Sequence, residues 1–233
     1  MQRPLKKPNG TPVEELDTPA LLLDLATFKA NASRLSDPQR PARAEAWVHK
    51  TPAIAHTQVA VPGVSGIAVR SIAAAEVFAA AGLDDIRVLR PLVTPESHRR
   101  VEAIATARVV VEADRPLVGA DWFEGAVTVS ARVVGVPEPG RAILDAGQKA
   151  VGRDFGDPRL LGRPRCAVSA GSAEHGVVSF PCDAPCADAF AIGDWLQLVP
   201  ADVATVFALH DFVYATRNGT LQAVWPIAAR GAF

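Results

Sequence analysis

Two side chains of catalytic type, those of His49 and Lys50, lie between a predicted strand and a predicted helix. Residues 44–48 alternate loosely between apolar and polar types, which predicts a short strand. Thr51-Pro52 predicts the start of a helix, because threonine is a good N-cap and proline suits the first helical position. Open α/β sheets and barrels place their chemistry at the carboxyl ends of strands. Trp47, His49 and Lys50 are therefore expected near a functional site.

The three cysteines raise a second chemistry, metal binding. Cys182 and Cys186 are spaced as Cys-x-x-x-Cys, with Cys166 and His175 upstream. This spacing fits no common zinc finger, and two prolines in the same stretch predict an irregular loop. An odd number of cysteines is also no disulfide framework. We therefore predict no metal site.

The elements that would position these residues alternate between strand and helix in the N-terminal half. Residues 16–24 predict a turn and then a strand buried on both faces, and residues 25–35 predict a helix. Further strands are predicted at residues 66–69, 86–89 and 108–111, with helices beginning after Ser71 and Thr94. Alternation at this spacing predicts a parallel sheet with crossover helices.

The C-terminal half changes to short β-rich runs without helical periodicity. The runs are residues 127–136, 141–144, 177–180, 195–199, 212–216 and 221–227. Asn218-Gly219 between the last two runs predicts a hairpin. We therefore predict an α/β domain over residues 1–113, a linker over residues 114–126 and an all-β domain over residues 127–233.

The composition favours a cytoplasmic protein of one large or two modest domains. The chain has 233 residues, 49% of them hydrophobic, and no apolar run approaches the roughly 18 residues that span a bilayer. The 24 Lys and Arg residues nearly balance the 25 Asp and Glu residues, so no overall charge favours nucleic acid or an anionic membrane. The basic N-terminus is not followed by the apolar core of a signal peptide.

Motifs spread along the chain in one order carry a resemblance to a known family. They are Leu16-Asp17-Thr18-Pro19-Ala20, His49-Lys50-Thr51-Pro52, Ala80-Ala81-Gly82-Leu83-Asp84, Leu144-Asp145-Ala146-Gly147, Glu174-His175-Gly176, Leu209-His210-Asp211 and Trp225-Pro226. The chain resembles the pyridoxal-phosphate enzymes that include D-threonine aldolase and eukaryotic-type D-serine dehydratase. The resemblance implies an alanine-racemase-like (β/α) barrel, here partial, followed by a C-terminal β-domain.

The resemblance also implies a reaction and its residues. The family's members are lyases of D-3-hydroxy amino acids, with pyridoxal phosphate bound to a lysine and a divalent metal in the β-domain. Lys50 is the candidate catalytic lysine, and His49 is the candidate contact to the pyridine ring of the cofactor. The resemblance further implies that Glu174 and His175 line an active site across a dimer interface, and the alternative is that this loop pair shapes the β-domain.

The chain departs from the family at the cofactor lysine. The family carries this lysine in a His-x-Lys-Thr-His-Lys run. Counted back from Pro52, the second lysine of the run is Lys50, the cofactor lysine falls on Trp47 and the first histidine falls on Glu45. An indole nitrogen only donates a hydrogen bond and cannot form the covalent bond to the cofactor.

The family's metal ligands are replaced as well. The family binds its metal through His-x-Cys or His-x-Asp just after a proline. Here the corresponding run follows Pro200, so the ligand positions hold Asp202 and Ala204. A single carboxylate is a poor transition-metal site, so loss of the family's divalent metal is predicted.

Size is the third departure. A complete (β/α)₈ barrel needs about 250 residues. The residues before the predicted β-domain suffice for about four or five βα units, and no Gly-rich phosphate cradle occurs in the sequence. A large internal deletion that joined the start of the barrel to the β-domain accounts for both observations.

These departures predict a family member with impaired lyase activity. Three alternatives stay open: an active lyase that uses Lys50 on D-3-hydroxy amino acids such as D-threonine or D-serine, a non-catalytic interaction protein or product of a decayed gene, and a protein that holds pyridoxal phosphate without turnover. Unpaired strand edges of a partial barrel also predict a homo-oligomer.

Overall fold

The structure, a computed structural model, describes residues 7–34, 42–111, 125–181 and 190–232. The chain divides into two compact units, which we call the β unit and the βα unit. The β unit comprises Met1–Ala26 and Gly125–Trp225, and the βα unit comprises Thr27–Glu124 and Pro226–Phe233.

Strands and helices alternate as far as residue 111, as predicted. After a 3₁₀ helix (Val13–Glu15) the elements are β1 (Ala20–Asp24), α1 (Leu25–Arg34), β2 (Ala42–Glu45), α2 (Ala46–His49), α3 (Pro52–Val59), β3 (Val64–Val69), α4 (Ile72–Ala80), β4 (Asp85–Val88), α5 (Pro95–Glu102) and β5 (Arg108–Val111).

Strands predominate in the rest of the chain. The elements are β6 (Val127–Glu138), β7 (Arg141–Leu144), α6 (Gln148–Val151), β8 (Arg159–Leu160), β9 (Ala167–Ser169), β10 (Gly176–Ser179), β11 (Trp195–Val199), α7 (Val203–Leu209), β12 (Phe212–Arg217) and β13 (Thr220–Pro226).

The βα unit is built on a four-stranded parallel sheet in the order β2-β3-β4-β5. Ile67 pairs with Ile86 and Ile86 pairs with Val109, so one row of apolar residues crosses three strands. Because side chains alternate between the faces of a sheet, this row lies on one face. It joins a buried cluster with Ala75 and Phe78 of α4. Burial of this face holds the helices on the sheet.

Gly66 lets an ion pair cross the middle of the sheet. Arg43 on β2 donates to Asp85 on β4 at 2.9 Å, although β3 lies between them. A Cβ atom on Gly66 would lie 2.5 Å from both the Arg43 guanidinium and the Asp85 carbonyl oxygen, and Gly66 has a φ of +146°. Only glycine leaves this path open. The pair lies near the amino ends of the strands, where barrels place stabilising residues.

The predicted strand over residues 44–48 is wrong in its second half. β2 ends at Glu45, and Ala46–His49 form one helical turn that Lys50 closes with φ 52° and ψ 20°. A loose alternation of apolar and polar residues is compatible with a turn as well as a strand, and tertiary contacts decide between them. Trp47, His49 and Lys50 still follow the carboxyl end of β2.

β1 pairs within the β unit. Leu22 lies opposite Tyr214 of β12 in a parallel pair and opposite Thr128 of β6 in an antiparallel pair. The prediction that this strand is buried on both faces is confirmed, since residues 20–23 are at most 2% exposed. The observed division therefore differs from the predicted domain over residues 1–113. Most of the predicted linker, residues 114–126, lies outside the described residues.

The β unit contains one sheet in the order β11-β8-β9-β10-β7-β6-β1-β12-β13, and β11 also pairs with β6. This additional pairing closes the six antiparallel strands from β6 to β11 into a small barrel. The predicted hairpin is confirmed, since Asn218 and Gly219 have φ values of 50° and 70°. These angles suit a two-residue type I′ turn.

Two short helices, α6 and α7, contradict the prediction that the C-terminal half has no helix. α7 follows Asp202, whose carboxylate accepts a hydrogen bond from the Thr205 N–H at 2.6 Å. It buries Val206 and Phe207. Its β-branched residues favour a strand locally, so the capping bond rather than the apolar pattern identifies the helix.

The fold class is as predicted: an α/β part, which is a partial (β/α) barrel, is followed by a β-domain, to which the structure adds the two short helices. No helix in the described part of the chain is long and apolar enough to cross a membrane.

Candidate functional site

The first candidate site is the lysine segment, residues 45–50, at the carboxyl end of β2. Its position agrees with the sequence-based expectation. β3, the neighbouring parallel strand, ends at Val69 and is followed by Arg70. The ends of two parallel strands thus bring the Arg70 side chain beside the segment.

The Trp47 side chain is held on two sides. Its indole N–H donates a hydrogen bond to the Glu45 carboxylate. The Arg70 guanidinium carbon lies 4.1 Å from the centre of the indole ring, which is the geometry of a cation–π contact. The carboxylate lies at the edge of the indole and the guanidinium over its face, and we call these three side chains the Trp47 stack. They lie at the place where the resemblance puts the family's cofactor lysine.

The Lys50 side chain turns back toward its own segment. Its ammonium donates to the Val48 carbonyl oxygen at 3.1 Å. Its backbone N–H donates to Ala46 at 2.8 Å, and its carbonyl oxygen accepts from the Ala229 N–H at 2.9 Å. Its φ of 52° lies in the left-handed region, which a residue other than glycine adopts at an energetic cost. Three bonds therefore fix a strained residue at the end of α2.

The His49 ring is buried and uses both nitrogens inside the βα unit. Its Nε2 lies 2.9 Å from the Gln58 side-chain oxygen, and its Nδ1 accepts from the Thr51 N–H at 3.1 Å. This arrangement suits a neutral ring that carries its proton on Nε2. Burial lowers the pKa of His49 from 6.5 to about 4, and the charge of Lys50 adds to the effect. His49 is therefore neutral at physiological pH.

Asp202, at the first metal-ligand position of the resemblance, caps a helix. Its Oδ2 accepts from the Thr205 N–H, as described for α7. Ala204 lies in the first turn of the same helix and offers no side-chain ligand. Within the described ranges no group of three or more His, Cys, Asp or Glu side chains is arranged to hold a metal ion. Cys182 and Cys186 lie outside those ranges, and Cys166 is buried.

The second candidate site is a cleft of about 520 Å³ in the β unit, which we call the β-unit cleft. Its walls come from the turn before β1, the loop after β7, α6, the loop before β10 and the start of β12. The charged side chains that line it are Asp17, Asp145, Lys149, Glu174 and Asp211. The volume of this cleft lies within the range of small-molecule sites.

Two hydrogen bonds hold the Asp145 carboxylate in this cleft. One oxygen accepts from the Thr18 hydroxyl at 2.5 Å and the other from the Arg132 backbone N–H at 2.8 Å. These bonds join the turn before β1 to the strand pair β6–β7. Thr18 and Asp145 come from two motifs that lie 127 residues apart in the sequence.

Glu174 and His175, predicted to line an active site or shape a loop, behave differently from each other. Glu174 lines the β-unit cleft and pairs with Lys149 at 2.8 Å. The exposed His175 closes a turn, since its backbone N–H donates to the Ser172 hydroxyl at 2.9 Å. Lys149 lies on α6.

A glycine is required at position 147 because the backbone of residues 172–175 lies close to it. A Cβ atom there would lie 2.5 Å from the His175 nitrogen and from the Ser172 carbonyl oxygen. Its φ of −104° is open to any residue, so the close approach of two backbones, rather than conformational freedom, requires the glycine.

Sequence reasoning missed Arg70 and Tyr214. Arg70 follows a strand without any motif, and only the fold brings it to Trp47. Tyr214 lines the β-unit cleft, and burial together with the charge of Asp17 raises the pKa of its hydroxyl. Trp195 packs against a buried cluster that includes Leu16 and Leu221.

One family model matches the chain. It is described as a putative serine dehydratase domain, and it matches residues 126–216. The matched stretch covers most of the C-terminal β-rich half, from β6 to β12.

Characterised relatives match about half of the chain. A D-threonine aldolase of Arthrobacter is 40% identical over 120 residues, which is 52% of this chain and 30% of that protein. A 3-hydroxy-D-aspartate aldolase of Paracoccus denitrificans is 34% identical over 111 residues, 48% of this chain and 27% of that protein. The matched stretch is thus less than a third of the length of either aldolase.

A shorter relative is matched over most of its length. An uncharacterized protein of Mycobacterium tuberculosis is 34% identical over 96 residues, 39% of this chain and 70% of that protein.

Solved structures share the fold. A D-threonine aldolase from Filomicrobium marinum superposes with a TM-score of 0.86 at 21% identity, over 97% of this chain and 99% of that one. An alanine-racemase-like protein from Idiomarina loihiensis superposes with a TM-score of 0.74 at 16% identity, over 94% and 99%. The partial barrel and the β-domain are therefore of the alanine-racemase-like type.

Proposed function

The chain belongs to the D-threonine aldolase and D-serine dehydratase-like family, and on that premise we propose that it does not carry out the family's lyase reaction. Pyridoxal phosphate is the cofactor that the family implies. The proposal is that this copy has lost the covalent attachment of that cofactor and, with it, turnover of D-3-hydroxy amino acids.

The observation that carries the proposal is the Trp47 stack. The family's lysine position holds an indole, which cannot bond covalently to an aldehyde. Glu45 and Arg70 hold that indole by a hydrogen bond and a cation–π contact. Reopening the position would break both contacts. The side chains of this chain do not fit the cofactor there.

Lys50 and His49 support the same conclusion. A lysine that replaces the missing one must reach a carbonyl carbon with its amine, and covalent chemistry tolerates little misplacement. The Lys50 ammonium instead donates to Val48 in its own turn. Both nitrogens of the His49 ring have partners within the chain. The assignment of Lys50 as catalytic and of His49 as a cofactor contact stays a prediction.

The residues at the family's metal-ligand positions also support the proposed loss of lyase activity. One carboxylate oxygen of Asp202 accepts a hydrogen bond from the first turn of α7, and the Ala204 side chain has no ligand atom. A transition metal needs further ligands in a defined geometry. Loss of the family's divalent cation is therefore part of the proposal.

A second candidate function rests on the backbone of Lys50. Strained residues persist where the surrounding structure fixes them, and they are common at ligand sites. The left-handed Lys50 favours a protein that holds pyridoxal phosphate reversibly without turnover. In this case the chain would bind the phosphate and the pyridine ring of the cofactor noncovalently, without the lysine that Trp47 replaces.

The test combines an activity assay with one gain-of-lysine variant. The 233-residue chain is incubated with pyridoxal phosphate and D-threonine, D-serine or 3-hydroxy-D-aspartate, with and without Mn²⁺, and product is followed. We expect no turnover above the protein-free control. Turnover that requires the protein and is lost in Lys50→Ala would refute the proposal.

The variant Trp47→Lys restores the family's lysine at its own position. If lysine loss alone removed the cofactor, this variant gains the absorbance of a protein-bound cofactor, whereas Val93→Lys, at a 74% exposed position, does not. Reversible binding by the wild-type chain, seen as saturable fluorescence quenching without an adduct, would favour the second candidate function.

A further inference from the structure

Among the described residues, the parallel sheet of the βα unit ends at β2 on one side and at β5 on the other. In residues 42–111, which the structure describes without a gap, β2 pairs only with β3 and β5 pairs only with β4. An edge strand presents unpaired N–H and C=O groups that favour pairing with another chain. Half-exposed valines occupy three of the four β5 positions. The edges are therefore candidate association surfaces.

The two edges match each other. β2 and β5 each contain four residues, and all four strands of the sheet run in the same direction. The edge at β2 can thus continue, in parallel, a sheet that ends at β5. A sheet with identical direction at both edges can join to a copy of itself without reversing a strand.

We propose that a second copy of this chain closes the sheet, with β5 of each copy beside β2 of the other. Four strands from each copy give eight parallel strands, the number at which a parallel sheet with outer helices closes into a filled barrel. The two junctions are related by a two-fold axis, so the assembly ends at two copies and leaves no open edge in the parallel sheet.

The two faces of the sheet agree with this arrangement. The row Ile67, Ile86 and Val109 is covered by helices and would stay on the outside of the strands. The other face carries the Arg43–Asp85 pair and would line the interior. There the buried Asp85 Oδ1 has no hydrogen-bond partner among the described residues, and a buried acceptor is costly to leave unmatched. The second copy would bring further donors to this face.

A second copy fits better than an unrelated peptide. A single added strand would cover one edge and leave the other exposed. A copy covers both edges with strands of the same length and direction. The inference concerns assembly alone and does not depend on whether the chain has lyase activity.

The first test is the mass in solution. Light scattering across a dilution series is expected to give twice the chain mass of 24.5 kDa. Val110→Lys places a charge in β5 and is expected to yield monomer with an unchanged circular dichroism spectrum. Val93→Lys, at a 74% exposed position outside the strands, is the matched control and is expected to remain dimeric. A monomeric wild-type chain would overturn the proposal.

A mixing experiment tests which edges meet. Ala42→Lys charges β2, so either variant alone damages both junctions of its own dimer. A mixture of Ala42→Lys with Val110→Lys retains one intact junction and is expected to regain dimer. Pairing of β5 with β5, or a dimer through another surface, predicts that Ala42→Lys dimerises like the wild type, and this result would refute the proposed junction.

Hydrogen exchange of the wild-type chain avoids the risk that a variant misfolds. Amides of residues 42–45 and 108–111 are expected to become more protected as the protein concentration rises, while those of β3 stay constant. Concentration-independent exchange at both edges would overturn the proposal.

Discussion

The buried His49 predicts a specific pH dependence of folding. The histidine is neutral in the folded chain and has a pKa lowered from 6.5 to about 4 by burial. Between these values the unfolded chain binds a proton that the folded chain does not, so the free energy of unfolding falls as the pH falls. Each pKa unit is worth about 1.4 kcal/mol, so the loss attributable to His49 is on the order of 3 kcal/mol by pH 4.

The variant His49→Asn isolates this contribution. Asparagine can still accept from the Thr51 N–H but does not titrate. Urea unfolding at half-unit steps from pH 7.5 to 4 is expected to show a shallower fall for the variant than for the wild type. His98→Asn, on the exposed surface of α5, controls for histidine replacement as such. Parallel profiles of wild type and His49→Asn would refute the assignment of a buried, neutral histidine.

Three further substitutions test the backbone around the two candidate sites by chemical unfolding. Lys50→Gly removes the left-handed strain and is expected to stabilise the chain by about 1 kcal/mol, and a loss of stability would show that the lysine contacts outweigh the strain. Gly147→Ala places a Cβ atom 2.5 Å from backbone atoms and is expected to cost about 1–3 kcal/mol, whereas Gly171→Ala, where the nearest atom is 3.6 Å away, should cost much less. Asp202→Ala removes the cap of α7 and is expected to cost about 1 kcal/mol, with most of the loss recovered in Asp202→Asn; equal losses in both variants would contradict a capping role.

Local patterns were sufficient for most of the strands. The run at residues 195–199 and the run at 141–144 are strands with the predicted bounds. The Asn218-Gly219 turn was also predictable, because its conformation depends on two adjacent residues that tolerate positive φ. These features need no information from distant parts of the chain.

Non-local pairing was not predictable from local patterns. β1 lies between β6 and β12, whose sequences are more than a hundred residues away. The apolar run at residues 20–23 predicted burial but not the partners that bury it. The same limit applies to Arg70, which reaches Trp47 only because β2 and β3 are neighbours.

The two candidate sites differ in what the sequence could reveal. The lysine segment was located from a strand end, a helix start and a resemblance, but its helical turn and the left-handed Lys50 required the structure. Thr18, Asp145 and Tyr214, which line the β-unit cleft, come from separate parts of the sequence. Its residues were named in the sequence only as family matches or as strand residues, because no spacing along the chain encodes their proximity.

Borohydride trapping tests the central claim, the loss of covalent cofactor attachment, most directly. The 233-residue chain is incubated with pyridoxal phosphate, reduced, digested and mapped by mass spectrometry. The Trp47 stack and the backbone-bound Lys50 predict scattered, substoichiometric labelling of surface lysines that Lys50→Ala leaves unchanged. A stoichiometric phosphopyridoxyl adduct confined to Lys50, and absent from Lys50→Ala, would contradict the claim and identify the chain as a cofactor-binding member of its family.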